Sequence, residues 1–153
     1  MENKKSDLPC LVETENDAIP FVSLWTGKIS EMALATRAGE WITCGRGKLF
    51  STPILQVLKT RKVHKPNGGH LWRLILSDGE FYMQGILDTT NNCNVMDQYT
   101  VVRLDHFTLT ALVRNPVPVL KVHSYTVWNS LVRSKIGVPL GIDLETLKIL
   151  DKS

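Results

Sequence analysis

The side chains of this sequence that could do chemistry are four histidines, three cysteines and a scatter of carboxylates. A metal site needs several of them to converge, and sequence shows this as short fixed spacings: histidines four apart on a helix, or a Cys-x-x-Cys pair. His64, His70, His106 and His123 have no such spacing. Cys10, Cys44 and Cys93 are odd in number and far apart, which fits free thiols in a reducing compartment better than a disulfide framework or a zinc site. Gly45-Arg46-Gly47-Lys48 has the residue types of a phosphate-cradling loop without the Gly-x-x-x-x-Gly-Lys-Ser/Thr spacing. There is no Gly-x-Ser-x-Gly elbow, and Asp78, Glu80, Asp88, Asp97 and Asp105 mostly mark turns instead of forming acid–base pairs. The expectation is a non-enzymatic protein with no cofactor and no metal.

Binding chemistry is better represented. From Trp41 to Ser77 there are seven Lys or Arg (Arg46, Lys48, Lys59, Arg61, Lys62, Lys65, Arg73) and no acid, whereas residues 1–40 hold seven acids against four bases. A second acid-free stretch, His106 to Ile142, carries Arg114, Lys121, Arg133 and Lys135. If the two stretches share a face, they create a positive field for an acidic peptide or a phosphate backbone. No apolar run approaches the roughly 20 residues of a spanning helix, and the N-terminus lacks the apolar stretch of a secretory signal. The protein is expected in water, inside the cell, with no membrane partner.

The elements that must position these residues are legible from composition and period. With 153 residues, of which 43% are hydrophobic and 22% charged, the chain suits one globular unit with tails. Residues 1–25 are polar and read as a flexible arm, residues 26–139 as the domain, and 140–153 as a tail or short helix. Ile29 to Gly39 has Ser30 as a cap, Ala and Leu as helix formers and Gly39 as a stop. Beyond it come β-branched and aromatic runs: Pro53 to Val63, Leu71 to Leu76, Phe81 to Leu87, Thr100 to Val113 and Val117 to Trp128. Turn signals separate them, notably Lys65-Pro66-Asn67-Gly68-Gly69 and Ser77-Asp78-Gly79. Alternation puts Trp72, Leu74, Leu76, Phe107, Leu109, Ala111 and Val113 inward, with Leu71, Arg73, Ile75, Thr108, Thr110 and Leu112 outward. Asn129 to Arg133 reads as a helical turn, and Asp143 as the N-cap of a last helix reaching Leu150. Five strands joined by short turns suit a small closed or nearly closed barrel, and the expected fold class is all-β: a five-stranded OB-fold barrel with a short N-terminal capping helix.

Several stretches resemble one family. Pro53-Ile54-Leu55-Gln56-Val57, Leu71-Trp72-Arg73-Leu74-Ile75-Leu76-Ser77-Asp78-Gly79, Gln84-Gly85-Ile86-Leu87-Asp88-Thr89 and Lys135-Ile136-Gly137-Val138-Pro139 are similar, in the same order, to stretches of the N-terminal domain of the replication protein A large subunit. The likeness runs from about residue 29 to residue 139. It implies a nuclear OB-fold module of DNA replication and repair, whose basic groove takes short acidic amphipathic helices and has weak affinity for single-stranded DNA. Carried over by position, the groove comprises Arg61, Arg73, Gln84, Ile86, Thr89, Thr110, Leu112, Arg114 and Leu120. Leu71 stands where the family commonly has an arginine, and Val113, Pro116 and Val117 occupy a turn that is usually basic, so a more apolar ligand is implied. Partner recruitment through acidic amphipathic peptides is the leading reading. Direct single-stranded DNA or RNA binding is the alternative, with Tyr82 the aromatic best placed to stack. A structural subunit that uses its C-terminal segment as a handle is the third.

Overall fold

The computed structural model describes residues 24–36, 39–88, 96–111, 117–143, 145–146 and 148–149. One helix, α1 (Lys28–Ala35), precedes seven strands: β1 (Trp41–Gly45), β2 (Ile54–His64), β3 (His70–Ser77), β4 (Phe81–Asp88), β5 (Val101–Thr110), β6 (Val119–Asn129) and β7 (Leu140–Gly141). The five expected runs are β2 to β6. They close into a ring in which β2 pairs with β3, β3 with β4, β4 with β6, β6 with β5 and β5 with β2. All of these pairings are antiparallel except β4 with β6, so the expected five-stranded OB-type barrel is what the chain forms.

Strand alternation builds the core. Leu74, Leu76, Phe107, Leu109 and Ala111 point inward as their period requires, together with Leu55, Val57, Met83, Leu87 and Leu104, all essentially without solvent exposure. Trp72 is only half buried, packed against the core and edge-on to His70, with ring centroids 6.5 Å apart. Two strands escaped the sequence reading because they are short. β1 extends the edge of β5 beyond the point where β2 leaves it, and β7 adds two residues beside the start of β4.

The helix covers the barrel with Ile29, Met32 and Ala33, which belong to the core. It begins earlier than expected, after Gly27 in a left-handed conformation (φ 84°), and its cap is not Ser30, whose hydroxyl donates to the Gly27 carbonyl at 2.9 Å. The acceptor comes from elsewhere in the chain. Asp78, fully buried in the turn between β3 and β4, accepts from the Ile29 N–H at 2.8 Å through one oxygen, and from the Glu80 and Phe81 N–H groups at 2.9 Å through the other. A carboxylate at a helix N-terminus meets unpaired N–H groups and the positive end of the dipole. The helix also ends before Gly39: Thr36 is extended, with its hydroxyl and N–H both on the Met32 carbonyl.

The packed unit reaches past the expected boundaries of 26 and 139. Leu24 is buried with Ile54 and Val101, and Ile142 lies in the main core. Asn129 to Arg133 contains no helical turn; the Asn129 side chain instead accepts from the Leu131 N–H at 2.8 Å, an Asx turn that competes with helix. Residues 134–139 then run back over the barrel, and Gly137 (φ 75°) passes so near the Gly79 backbone that a β-carbon would lie 2.5 Å from its carbonyl oxygen. Asp143 does cap the following turn, accepting from the Thr146 N–H at 2.8 Å, and these hydrogen bonds hold its carboxyl below the usual value. Among the described residues no helix is long and apolar enough to cross a membrane.

Two measurements check this account. Asp78→Ala strands three N–H groups of the turn and the helix start, and should cost about 2–4 kcal/mol, read as a lower urea midpoint, with Asp78→Asn in between. Cys44 is fully buried, and burial pushes its thiol up to about 11. With Cys10 and Cys93, which lie outside the described residues, replaced by Ser, Cys44 should resist alkylation at pH 8 and react only as fast as the fold opens.

Candidate functional site

Pairing registers place the outward side chains in two rungs across the barrel wall. One rung runs Arg61, Arg73, Ile86, Lys121 and Thr108; the next runs Lys59, Ile75, Gln84, Val119, Thr110 and Trp41. Neighbouring strands are about 4.8 Å apart, so these side chains form one continuous surface. Between the two outer rungs lies an inner one through Leu74, Gly85, Leu120 and Leu109. The resemblance put Leu120 on the groove floor, but it stands on this inner rung with no solvent exposure and belongs to the core. Side-chain period two leaves no alternative once its neighbours Val119 and Lys121 face out.

The wall thus brings together Arg61, Arg73, Gln84, Ile86 and Thr110 of the expected groove. Thr89, Leu112 and Arg114 lie outside the described residues. Both basic stretches contribute to it, Lys59, Arg61 and Arg73 from the first and Lys121 and Lys135 from the second. Arg73 donates to the Gln84 side-chain carbonyl at 2.8 Å, which holds the guanidinium along the wall and leaves its other N–H groups to a ligand. Arg46 is spent elsewhere, 3.5 Å from Asp105 at a tight turn after β1, in a cluster with Arg103 and Thr126. The Gly45-Arg46-Gly47-Lys48 segment is therefore a turn that presents its arginine to a buried carboxylate.

Three concavities follow the wall. A cavity of about 400 Å³ at one end is lined by Lys59, Ile75, Tyr82, Gln98, Tyr99 and Lys135, with Leu58 beneath. The next, about 190 Å³, lies among Lys59, Arg61, Arg73, Ile75 and Gln84. The third, about 240 Å³, is an apolar hollow between Trp41, Ile86, Ala111 and Val119, bordered by Thr110 and Lys121. Trp41 is 64% exposed, a large indole surface that the sequence reading did not assign because β1 was not recognised. Val119 was also missed, and Lys59 and Lys121 were counted among the clustered bases without a place in the groove, although Lys59 stands two residues before Arg61 on the same strand face.

Beside Lys121, His123 sits 3.3 Å from the Thr108 hydroxyl, and burial together with Lys121 and His106 lowers its imidazole pKa. Among the described residues no three His, Cys, Asp or Glu side chains converge as a metal centre would require.

The inside–outside assignment has a direct check. Leu120→Ala should cost about 2–5 kcal/mol in urea denaturation, while Trp41→Ala, at an exposed position, should move stability by less than about 1 kcal/mol.

Comparison with known proteins agrees with this geometry at a distance. No protein-family model matches the chain. Over 103 residues, 61% of its length, it is 25% identical to the Replication protein A 70 kDa DNA-binding subunit of Drosophila melanogaster, and it spans 17% of that protein. This similarity, on a closed five-stranded barrel, supports a distant relationship to replication protein A and to its OB-folds.

Proposed function

We propose that the wall is a recruitment surface: a short acidic amphipathic segment of a nuclear DNA-maintenance protein lays its apolar side chains in the hollow between Trp41, Ile86 and Val119 and its carboxylates along Arg61, Arg73 and Lys121. The observation that carries this reading is the apolar hollow set directly beside the arginine rung. A phosphate backbone gains nothing from aliphatic surface, whereas an amphipathic helix needs an apolar pocket and flanking cations together. The distant likeness to a DNA-binding subunit supplies the setting.

Direct single-stranded nucleic-acid binding is the second reading, favoured by the exposed Trp41 indole, since aromatic platforms on a basic wall stack bases. The two readings rank the same residues oppositely. For a peptide, Ile86→Asp should cost about 2 kcal/mol or more of affinity and Arg61→Ala about 1, with mild salt dependence. For nucleic acid the arginines dominate, and affinity falls steeply with salt as counterions are released.

Fluorescence anisotropy with a labelled acidic amphipathic peptide and a labelled oligothymidylate, each at two salt concentrations, separates them. We expect the peptide to bind and Ile86→Asp to abolish most of that affinity. A peptide affinity indifferent to Ile86→Asp would sink the recruitment reading.

A further inference from the structure

The cavity at the far end of the wall lies outside the arginine rung and the apolar hollow, yet it is the most deliberately held part of the surface. Among the described residues its lining offers donors and no carboxylate: the Lys59 and Lys135 ammonium groups, and the Tyr82 and Tyr99 hydroxyls. Neither lysine has an ion-pair partner and neither phenol a hydrogen-bond partner among the described residues.

These groups come from four separate parts of the chain, and one buried side chain ties three of the parts together. Gln56, on β2 and without solvent exposure, donates from its amide nitrogen to the Tyr99 carbonyl at 3.0 Å and to the Ser134 carbonyl at 2.9 Å, and accepts from the Ile136 N–H at 2.8 Å. Tyr99 itself is held at φ 71°, a left-handed conformation rare for an aromatic residue, by this bond and by its own N–H on the Val57 carbonyl at 2.6 Å. Such a backbone outlier persists only where its surroundings enforce it, and it occurs preferentially at binding sites. The Tyr82 ring is fixed as well, lying so close over Gly141 that a β-carbon there would be 2.9 Å from it.

We infer that this cavity is a phosphate subsite, taking a phosphoserine or phosphothreonine of the same partner segment that fills the apolar hollow. The inference rests on the recruitment reading above. A phosphomonoester carries about −1.5 to −2 charges and strong acceptor oxygens, matched by two ammonium groups and two phenol donors with no competing carboxylate among the described lining residues. From Val119 to Lys59 the rung crosses three strand spacings, about 14 Å. On a helix rising about 1.5 Å per residue, an apolar anchor and a phosphorylated residue on the same face then stand about seven or eleven residues apart.

The test uses one designed acidic amphipathic peptide in three forms: unphosphorylated, and with phosphoserine about seven or about eleven residues from its anchor leucine. Isothermal titration should show at least about fivefold tighter binding for one phosphorylated form. Lys135→Gln and Lys59→Gln, both at exposed positions, should abolish that gain, weakening the phosphorylated form at least about fivefold more than the unphosphorylated one while leaving the melting temperature unchanged. If the unphosphorylated peptide binds and neither phosphoserine adds affinity, the subsite inference fails and the recruitment reading stands. A gain that survives loss of both lysines also overturns the subsite. If no peptide form binds while an oligothymidylate does, through Lys59 and Lys135, the two proposals fail together and the cavity belongs to a nucleic-acid track.

Discussion

The parallel pairing of β4 with β6 is the constraint on which the binding wall depends. Gln84 opposite Val119 and Ile86 opposite Lys121 fix, through the ladder, which side chains of β2, β3, β5 and β1 share the outer surface. A slip of one residue would turn Leu120 and Gly85 outward and bury Lys121. Gly85 helps to hold the register, because the Leu120 backbone passes close enough that a β-carbon would lie 3.2 Å from its carbonyl oxygen. The same closure hides most hydrogen-bonding edges of the sheet, so the wall offers side chains, not backbone, to a partner.

Around this ring, three buried polar side chains do what short loops alone would not. Asp78 joins a hairpin turn to the helix, Gln56 joins β2 to the 97–100 turn and the 134–136 segment, and Asp105 gathers Arg46, Arg103 and Thr126. Each has its polar atoms satisfied, as burial demands.

Much of this was legible in the sequence because period and turn chemistry are local. The five runs, the Asp78-Gly79 hairpin and the outward side of Arg73 and Ile75 all follow from alternation within single strands. What escaped was non-local. Leu120 was placed outward by likeness alone, and its own neighbours Val119 and Lys121 carried the parity that corrects it. Ser30 was chosen as a cap because it is near in sequence, whereas the actual acceptor, Asp78, is 49 residues from Ile29. β1 was hidden by its brevity, and with it Trp41. Gln56, inside an apolar run, gave no sign that it would clamp segments some 80 residues away.

The course of residues 134–142 over the barrel adds to the strand ring something the ring does not supply. The ring is complete once β6 has been formed, at Asn129, and the arginine rung and apolar hollow exist from that point. Lys135, the backbone that Gln56 grips and the Gly141 surface beneath Tyr82 arrive later along the chain. The strand ring and the cavity at the end of the wall are therefore completed by different stretches of the chain.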